Sequence, residues 1–448
     1  MMKRNRTNDS GLTGGEHSME DSATIKRESN RTRGGTWGAL AMGLLLTVFL
    51  VGCDGLLDVD LPGAVEEEDL QGADMADILA RGAQGDFECM FRNYVWITGL
   101  WADEFYSASV LRSHNVFGSR DRGVEQFGNA TCASVDPPPL WQGLQTARFQ
   151  AEDVVRRVQN FDQTPANADF LMGQSYAYGA YATQLLGEAF CEVTFDEGPA
   201  QSRADAFQRA EDQFTQAINL LQGVGGPEAA RAQELTMMAY VGRARARLHL
   251  GDDAGVLSDA AQVDSDFVFY STHSSSDTRR WNRVANRNNE TGNISVHPKF
   301  RDLEVDGVPD PRVPVVWDGG ASGPDGITDM WVQQKYPTTD SDIPMATGRE
   351  ALLMVAEVQG GQEAVDIINQ LRATHDLPEY EGGTDAEIME QVYEERQREL
   401  FLQGTHMGDK LRFDREWESG SNQKGEPFGP DTCLRIPEAE RLNNPNLT

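Results

Sequence analysis

Apolar side chains recur at helical spacing over residues 73–263 and again from Gly348 onward, and the stretch between them has no such period. Met75, Ile78, Leu79, Ala83, Phe87, Met90, Phe91 and Tyr94 fall on one face of a 3.6-residue repeat, which predicts a helix after the acidic run 65–70. Leu140, Trp141, Leu144, Ala147, Ala151, Val154, Val155 and Val158 form a second stripe. Phe170, Leu171, Ala177, Tyr178, Tyr181 and Leu185 form a third, and Phe207, Ala210, Phe214, Ala217, Ile218 and Leu221 a fourth. Pro227, at a first-turn position, opens a fifth that runs through Met238, Val241, Ala244 and Leu248 to a Gly251 stop. Residues 107–136 hold Gly, Ser, Asn and Asp without periodicity and run into three prolines, so they are expected to form a long surface loop.

From Asp264 to about Pro344 the chain is rich in Ser, Asn, Gly and Pro. It carries short β-type runs at Phe267–Tyr270 and Val313–Trp317 and three of the eight tryptophans. A non-helical segment of that length inside a compact domain is usually functional. Helical spacing returns with Ala351, Leu352, Leu353, Val355 and Ala356, then Ala364, Ile367, Ile368 and Leu371. A Thr384/Glu387 capping box precedes Ile388, Val392, Tyr393 and Leu400. The expected fold is mostly α: a scaffold of helical hairpins with a long loop-rich insertion carrying short β segments. Residues 239–263, with Ala244, Leu248, Gly251-Asp252 and Ala260-Ala261, resemble the turn of a tetratricopeptide repeat, although the consensus Trp-Leu-Gly-Tyr pattern is missing.

The N-terminal region changes where this fold must sit. Gly38 to Val51 is apolar but shorter than the roughly 20 residues that span a bilayer, and a long basic segment precedes it. It ends in Leu50-Val51-Gly52-Cys53, which reads as a lipobox: cleavage before Cys53 and acylation of its thiol, with palmitate-type chains, would leave the protein anchored rather than spanning. Residues 1–52 are then a signal peptide, and residues 53–72 a lipidated tether outside the cytoplasm. The leader carries seven basic and five acidic residues, so its removal takes the net charge from −32 to −34. Such an acidic surface makes nucleic acid an improbable partner and repels anionic lipid headgroups, so attachment falls to the acyl chains.

Four cysteines remain, Cys89, Cys132, Cys191 and Cys433, and none is in Cys-x-x-Cys spacing. In an oxidising exterior they are expected to form two structural disulfides, with three connectivities open. The seven histidines have no paired spacing, so no metal site is expected, and no cofactor fingerprint is present. Seventy-one acidic residues bring carboxylates together by chance, and no nucleophile or phosphate-binding motif accompanies them, so the chain is not expected to be an enzyme.

Cys53-Asp54-Gly55-Leu56-Leu57-Asp58-Val59-Asp60-Leu61-Pro62 resembles the mature start of the SusD/RagB lipoproteins. Lys335-Tyr336-Pro337, Ser341-Asp342-Ile343-Pro344, Arg349 with Leu353 to Glu357, and Asn369 to Arg372 occur in the order of that family's C-terminal half. Glu394-Glu395-Arg396-Gln397-Arg398-Glu399-Leu400 and the closing Leu434-Arg435-Ile436-Pro437 and Asn444-Pro445-Asn446-Leu447 are similar to its last signatures. Gln403 to Asp409 and Arg435 depart from the family pattern. The resemblance divides the mature chain into an N-terminal helical half (73–263), a loop-rich candidate ligand-binding region (264–347) and a C-terminal helical half (348–448).

The resemblance implies an outer-membrane, exterior-facing lipoprotein that captures an oligosaccharide and delivers it to a TonB-dependent SusC-like barrel. Its alternative forms are a structural lid of that transporter, or capture of a peptide. Exposed aromatic rings offer sugar C–H faces an apolar platform while amides and charged groups bond the hydroxyls. Trp281, with Arg280 and Arg283 beside it, is the leading candidate, followed by Trp317 and Trp331, then by Phe117 and Phe127. The competing expectation for each ring is that it packs its loop onto the helices.

Overall fold

The computed structural model describes residues 72–127, 130–134, 136 and 140–447; the expected signal peptide, Cys53 and the expected tether to residue 71 lie outside them. The N-terminal half is a run of helices: α1 (Ala76–Trp101), α2 (Arg112–Gly118), α3 (Leu140–Asn160), α4 (Ala168–Ala189), α5 (Arg203–Leu221), α6 (Ala229–Leu250) and α7 (Asp253–Ala260). The C-terminal half adds α8 (Gly348–Gln359), α9 (Gly361–Ala373), α10 (Asp385–Glu399), α11 (His406–Arg412) and α12 (Glu438–Asn443). The fold is mostly α, a scaffold of tetratricopeptide-like hairpins.

Each predicted stripe is the buried face of its helix. Leu144, Ala147, Ala151 and Val154 of α3 are covered, as are Tyr178, Tyr181 and Leu185 of α4. Successive helices pack on one another, α3 on α4, α4 on α5 and α5 on α6. Small residues permit the close approach: a Cβ on Gly242 of α6 would lie 2.3 Å from the ring of Phe214 in α5. Caps fix the helix starts, with capping boxes at Ser202/Asp205 for α5 and Thr384/Glu387 for α10. Gly251, in the left-handed region at φ 74°, ends α6 where the pattern predicted a stop.

The two helical halves are tied by a buried ion pair. Arg245 of α6 donates to both carboxylate oxygens of Glu350 in α8, at 2.6 and 2.7 Å, and to the Met345 carbonyl at 3.3 Å. Disulfides Cys89–Cys132 and Cys191–Cys433 satisfy all four expected thiols. The second brings the C-terminal segment back onto the end of α4, where Cys191 N–H donates to the Leu434 carbonyl and Leu434 N–H to that of Ala189, each at 2.8 Å.

Residues 107–136 are not the surface loop their composition implies. Helix α2 and a 3-10 turn, Arg122–Phe127, occupy much of the stretch, and Ser113, His114, Val116 and Phe117 are buried. The polar residues that read as loop are instead satisfied within the fold. Ser107 Oγ donates to Asn115 Oδ1 at 2.6 Å, Lys424 reaches the same oxygen at 2.7 Å, and His114 stacks on Trp96 with ring centroids 5.1 Å apart.

Short antiparallel ribbons accompany the helices, most of them built from the segment between the two halves. They are β1 (Phe105–Ser107) with β5 (Ile294–Val296), β2 (Glu192–Val193) with β3 (Gln201–Ser202), and β4 (Val268–Ser271) with β10 (Ile343–Thr347). To these are added β6 (Glu304–Val305) with β7 (Val308–Pro309), and β8 (Val315–Ser322) with β9 (Asp329–Gln333). A helical turn, Arg283–Ala285, runs into a π-helical turn, Asn286–Glu290, and together they seat the β8–β9 ribbon.

Candidate ligand-binding surface

The β8–β9 ribbon places two of the three candidate tryptophans side by side. Its register pairs Val315 with Gln333, Val316 with Val332 and Trp317 with Trp331, so the two indoles share one face of the ribbon. The register shifts beyond Trp317, which bends the strand before Ser322 meets Asp329. Asp325 holds the connecting turn: its Oδ1 accepts the N–H groups of Ile327 and Thr328, and its carboxylate meets Lys424 at 3.1 Å.

Trp317 is 56 % exposed; Val316, its neighbour in β8, is exposed on the opposite face of the ribbon, and Ile327 is exposed in the connecting turn. Trp331 is half-buried and better held. Its N–H donates to Ser295 Oγ at 2.9 Å, its carbonyl accepts from Asn288 at 3.1 Å, and the Arg301 guanidinium lies 4.9 Å from its ring centroid. Burial holds Arg301 below the usual arginine range, partly offset by Tyr106, Asp329 and Asp302. The arrangement is a firmly based inner ring next to an open outer one, with a cation behind the inner ring. Such a surface can cover the apolar face of a flat or cyclic ligand.

Trp281 lies in a separate place. Its Nε1 donates to the Ser275 carbonyl at 3.1 Å, its own carbonyl accepts from Arg92 at 2.5 Å, and Arg283 lies 5.7 Å from its ring centroid. The half-buried indole therefore braces loop 274–281. Arg280 is exposed, with Nη2 3.3 Å from Thr272 Oγ1, whereas Arg283 is buried and bonds Asn286 at 3.1 Å. Burial, with Arg283, Arg279 and Arg287 nearby, lowers Arg92 to about 9. No contact joins this locus to the ribbon tryptophans among the described residues.

Phe117 and Phe127 are in a third place. Phe117 is 3 % exposed, packed edge-on against Trp101, and so offers no ring to a ligand. Phe127 is half-buried with Arg112 5.8 Å from its centroid. Both line a crevice of about 20 Å³, room for little more than a water molecule.

Arg301 joins the tryptophan face of the ribbon without being singled out by sequence. Arg301 sits between Phe300 and Asp302 with nothing to mark it, and its approach to Trp331 is purely tertiary. Among the described residues no group of His, Cys, Asp or Glu has metal-site geometry, and no helix is long and apolar enough to cross a membrane.

The sequence profile of the SusD family matches residues 348–432. No curated protein matches the chain significantly. Solved structures do resemble its fold. A SusD-like carbohydrate-binding protein from Bacteroides vulgatus ATCC 8482 superposes with a TM-score of 0.64 at 15 % identity, covering 84 % of this chain and 97 % of that one. A SusD-like protein from Bacteroides fragilis NCTC 9343 gives 0.63 at 13 % identity, with 86 % and 98 % covered. A laminarin-binding SusD-like protein gives 0.60 at 13 % identity, with 82 % and 98 % covered. Similarity to the SusD family at the level of sequence thus lies at residues 348–432, and the fold over most of the chain is that of SusD-like proteins.

Proposed function

We propose that this protein binds an oligosaccharide at the cell surface, on the face of the β8–β9 ribbon, and passes it to a TonB-dependent SusC-like barrel in the outer membrane. The observation that carries the binding site is the cross-strand pairing of Trp317 with Trp331, which sets a largely exposed indole beside an anchored one. Sugar rings present flat C–H faces that stack on such rings, and the guanidinium of Arg301 and the side chains of the ribbon turn lie within the same region to meet hydroxyls. The laminarin-binding relative is itself a glycan binder, which supports the ligand class. The protein acts by binding and not by catalysis. Cys53, acylated after cleavage of the leader, anchors it to the membrane and holds the ribbon near the barrel.

The test is binding of the purified protein to a glycan array, followed by titration of the best neutral oligosaccharide. An exposed ring stacked on sugar contributes on the order of 1 kcal/mol, so Trp317→Ala and Trp331→Ala should each weaken binding several-fold. The helical circular-dichroism signal should stay unchanged in both. Wild-type affinity in both variants would move the platform away from the ribbon; loop 274–281, with Trp281, would be tested next.

A further inference from the structure

A cavity of about 390 Å³ opens at the seam between the ribbons and the C-terminal helices, away from the two ribbon tryptophans. That volume is at the small end of the range for small-molecule sites, roughly 300–1,000 Å³. One wall is the outer face of the β4–β10 ribbon. Val268 and Tyr270 alternate outward along β4, Tyr270 is 45 % exposed, and Pro344 is its partner across the ribbon. The lining also carries the charged side chains of Lys335, Arg349, His375 and Glu399.

The charges are unevenly matched. Arg312 meets Asp310 at 2.8 Å and Glu395 at 2.5 Å, Arg372 meets Glu395 at 2.7 Å, and Arg398 meets Asp310 at 3.2 Å and Glu394 at 3.5 Å. Glu399 lies 2.6 Å from Arg349 Nη1, 3.1 Å from His375 and 3.6 Å from Arg312. Burial alone would raise Glu399, but the bonds from His375 and Arg349 outweigh it and keep the carboxyl ionised and occupied. Two donor sets remain. Lys335 has no carboxylate within ion-pair distance among the described residues, and its ammonium makes a single hydrogen bond, to the Phe401 carbonyl at 2.8 Å. Arg349 uses only Nη1, which leaves Nε and Nη2 of a half-exposed guanidinium without partners. Burial lowers Lys335 to about 8, and Glu399 and Glu104 only partly offset it, so the site has an incompletely neutralised cation in a chain of net charge −32.

We infer that this cavity binds a hexuronate unit, with the ligand carboxylate between Lys335 and Arg349 and the sugar ring against Tyr270 and Pro344. A carboxylate accepts from an ammonium and from the free edge of a guanidinium at once, and these are the unfilled donors. The exposed Asp266 at the rim supplies an acceptor for ring hydroxyls. The inference rests on the glycan reading above for the ligand class, but not for the location. It adds a second subsite that selects acidic sugars.

Titration of the full chain with glucuronate, galacturonate and their dimers, against glucose, galactose, acetate and inorganic phosphate as probes, decides the matter. Uronates should bind saturably and at least tenfold more tightly than neutral sugars of the same size. Lys335→Met and Arg349→Gln should each cost tenfold or more, the usual scale for a lost charge-assisted contact. Should Lys335→Met fail to fold, the half-exposed Arg349→Gln decides alone. Tyr270→Ala should weaken uronates but not change the weak binding of acetate. Absence of saturable uronate binding, equal binding of neutral sugars, phosphate bound as tightly as uronate, or indifference to both charge variants would each overturn the assignment. Neutral-glycan binding that falls with Trp317→Ala while uronates fail to bind would overturn this subsite alone. Uronate binding with all glycans indifferent to the ribbon variants would overturn the ribbon platform alone.

Discussion

Replacing Arg245 by Met tests whether the two helical halves stand as one cooperative unit. Arg245 and Glu350 are 3 % and 2 % exposed, and the two-point contact between them is supplemented by Glu188, 3.8 Å from Arg245 Nη1 and itself 1 % exposed. Arg245→Met keeps most of the side-chain volume but leaves Glu350 without its cation. Glu188 retains Gln184 at 3.0 Å and His249 at 3.7 Å. Removing one partner of a buried pair costs about 3–5 kcal/mol, because the remaining charge is left desolvated. With a urea m-value of about 3 kcal/mol/M for a chain of this size, the unfolding midpoint should fall by about 1–1.7 M. The sign with pH is fixed. An orphaned buried carboxylate has a folded pKa above its unfolded value, so the penalty is full above the folded pKa and shrinks as pH falls and the group protonates. Arg245→Met/Glu350→Leu removes both charges and should recover more than half of the loss. A single variant costing under 1 kcal/mol, or a double variant costing the sum of the two singles, would refute the coupling.

Three further outcomes are expected. Cys191→Ser opens a crosslink between residues 242 positions apart and should cost about 4–5 kcal/mol, measured by denaturant melts; reduction of the wild type, which also opens Cys89–Cys132, should cost at least as much, and an unchanged midpoint in the variant would show that the strand-like bonds around Leu434 suffice. Glu104 is raised by burial to about 7, with the Leu402 N–H and Lys335 acting the other way. The folded state therefore binds more protons than the unfolded state between about pH 4.5 and 7, and stability falls as pH rises through that window. Glu104→Gln should remove up to about 3 kcal/mol of this dependence, and an identical pH profile in the variant would exclude Glu104 as its source. Cys53→Ser should release the protein from the membrane fraction or leave it unprocessed, and a variant cleaved and membrane-bound like wild type would rule out the lipobox.

What was legible in the sequence follows from how locally each feature is determined. A helix stripe is written in neighbours three and four apart, so α1, α3, α4, α5 and α6 could be read directly, and Gly251 and the Thr384 cap marked ends because caps are local too. Helix α2 was hidden for the same reason. Its Ser113, His114 and Asn115 look solvated, and the partners that let them pack inward lie elsewhere in the chain: Lys424, from more than three hundred residues away, bonds Asn115, and Trp96 stacks on His114. The departures from the family pattern at 403–409 also have a tertiary answer. His406 is buried against Phe300, and Asp409 is held well below the usual carboxylate range because Arg396 and Arg412 outweigh its burial.

The candidate site divides along the same line. Residue type and neighbourhood select Trp281, Trp317 and Trp331 equally, because all three lie in non-periodic sequence beside polar groups. Exposure sets Trp317 apart from the half-buried Trp281 and Trp331, and the cross-strand pairing sets Trp331 apart from Trp281; both are decided by the partner strand or loop. Trp281 has its indole N–H committed to the Ser275 carbonyl within its own loop, so the ring that looked best by composition is a brace. Trp317 is free because β8 is an edge with only β9 beside it, and the bend after Trp317 keeps the strand from continuing flat toward other chains. The cavity at Lys335 is further still from sequence. It joins Tyr270, Lys335 and Pro344 of the insertion to Arg349, His375 and Glu399 on three different parts of the C-terminal half, and the unmatched cation appears only when every nearby carboxylate has been assigned to its own partner. In both proposed surfaces the scaffold supplies fixed positions, and the groups proposed to meet the ligand are those its packing leaves open: Trp317 on a ribbon, Lys335 just beyond one, and Arg349 at the start of α8.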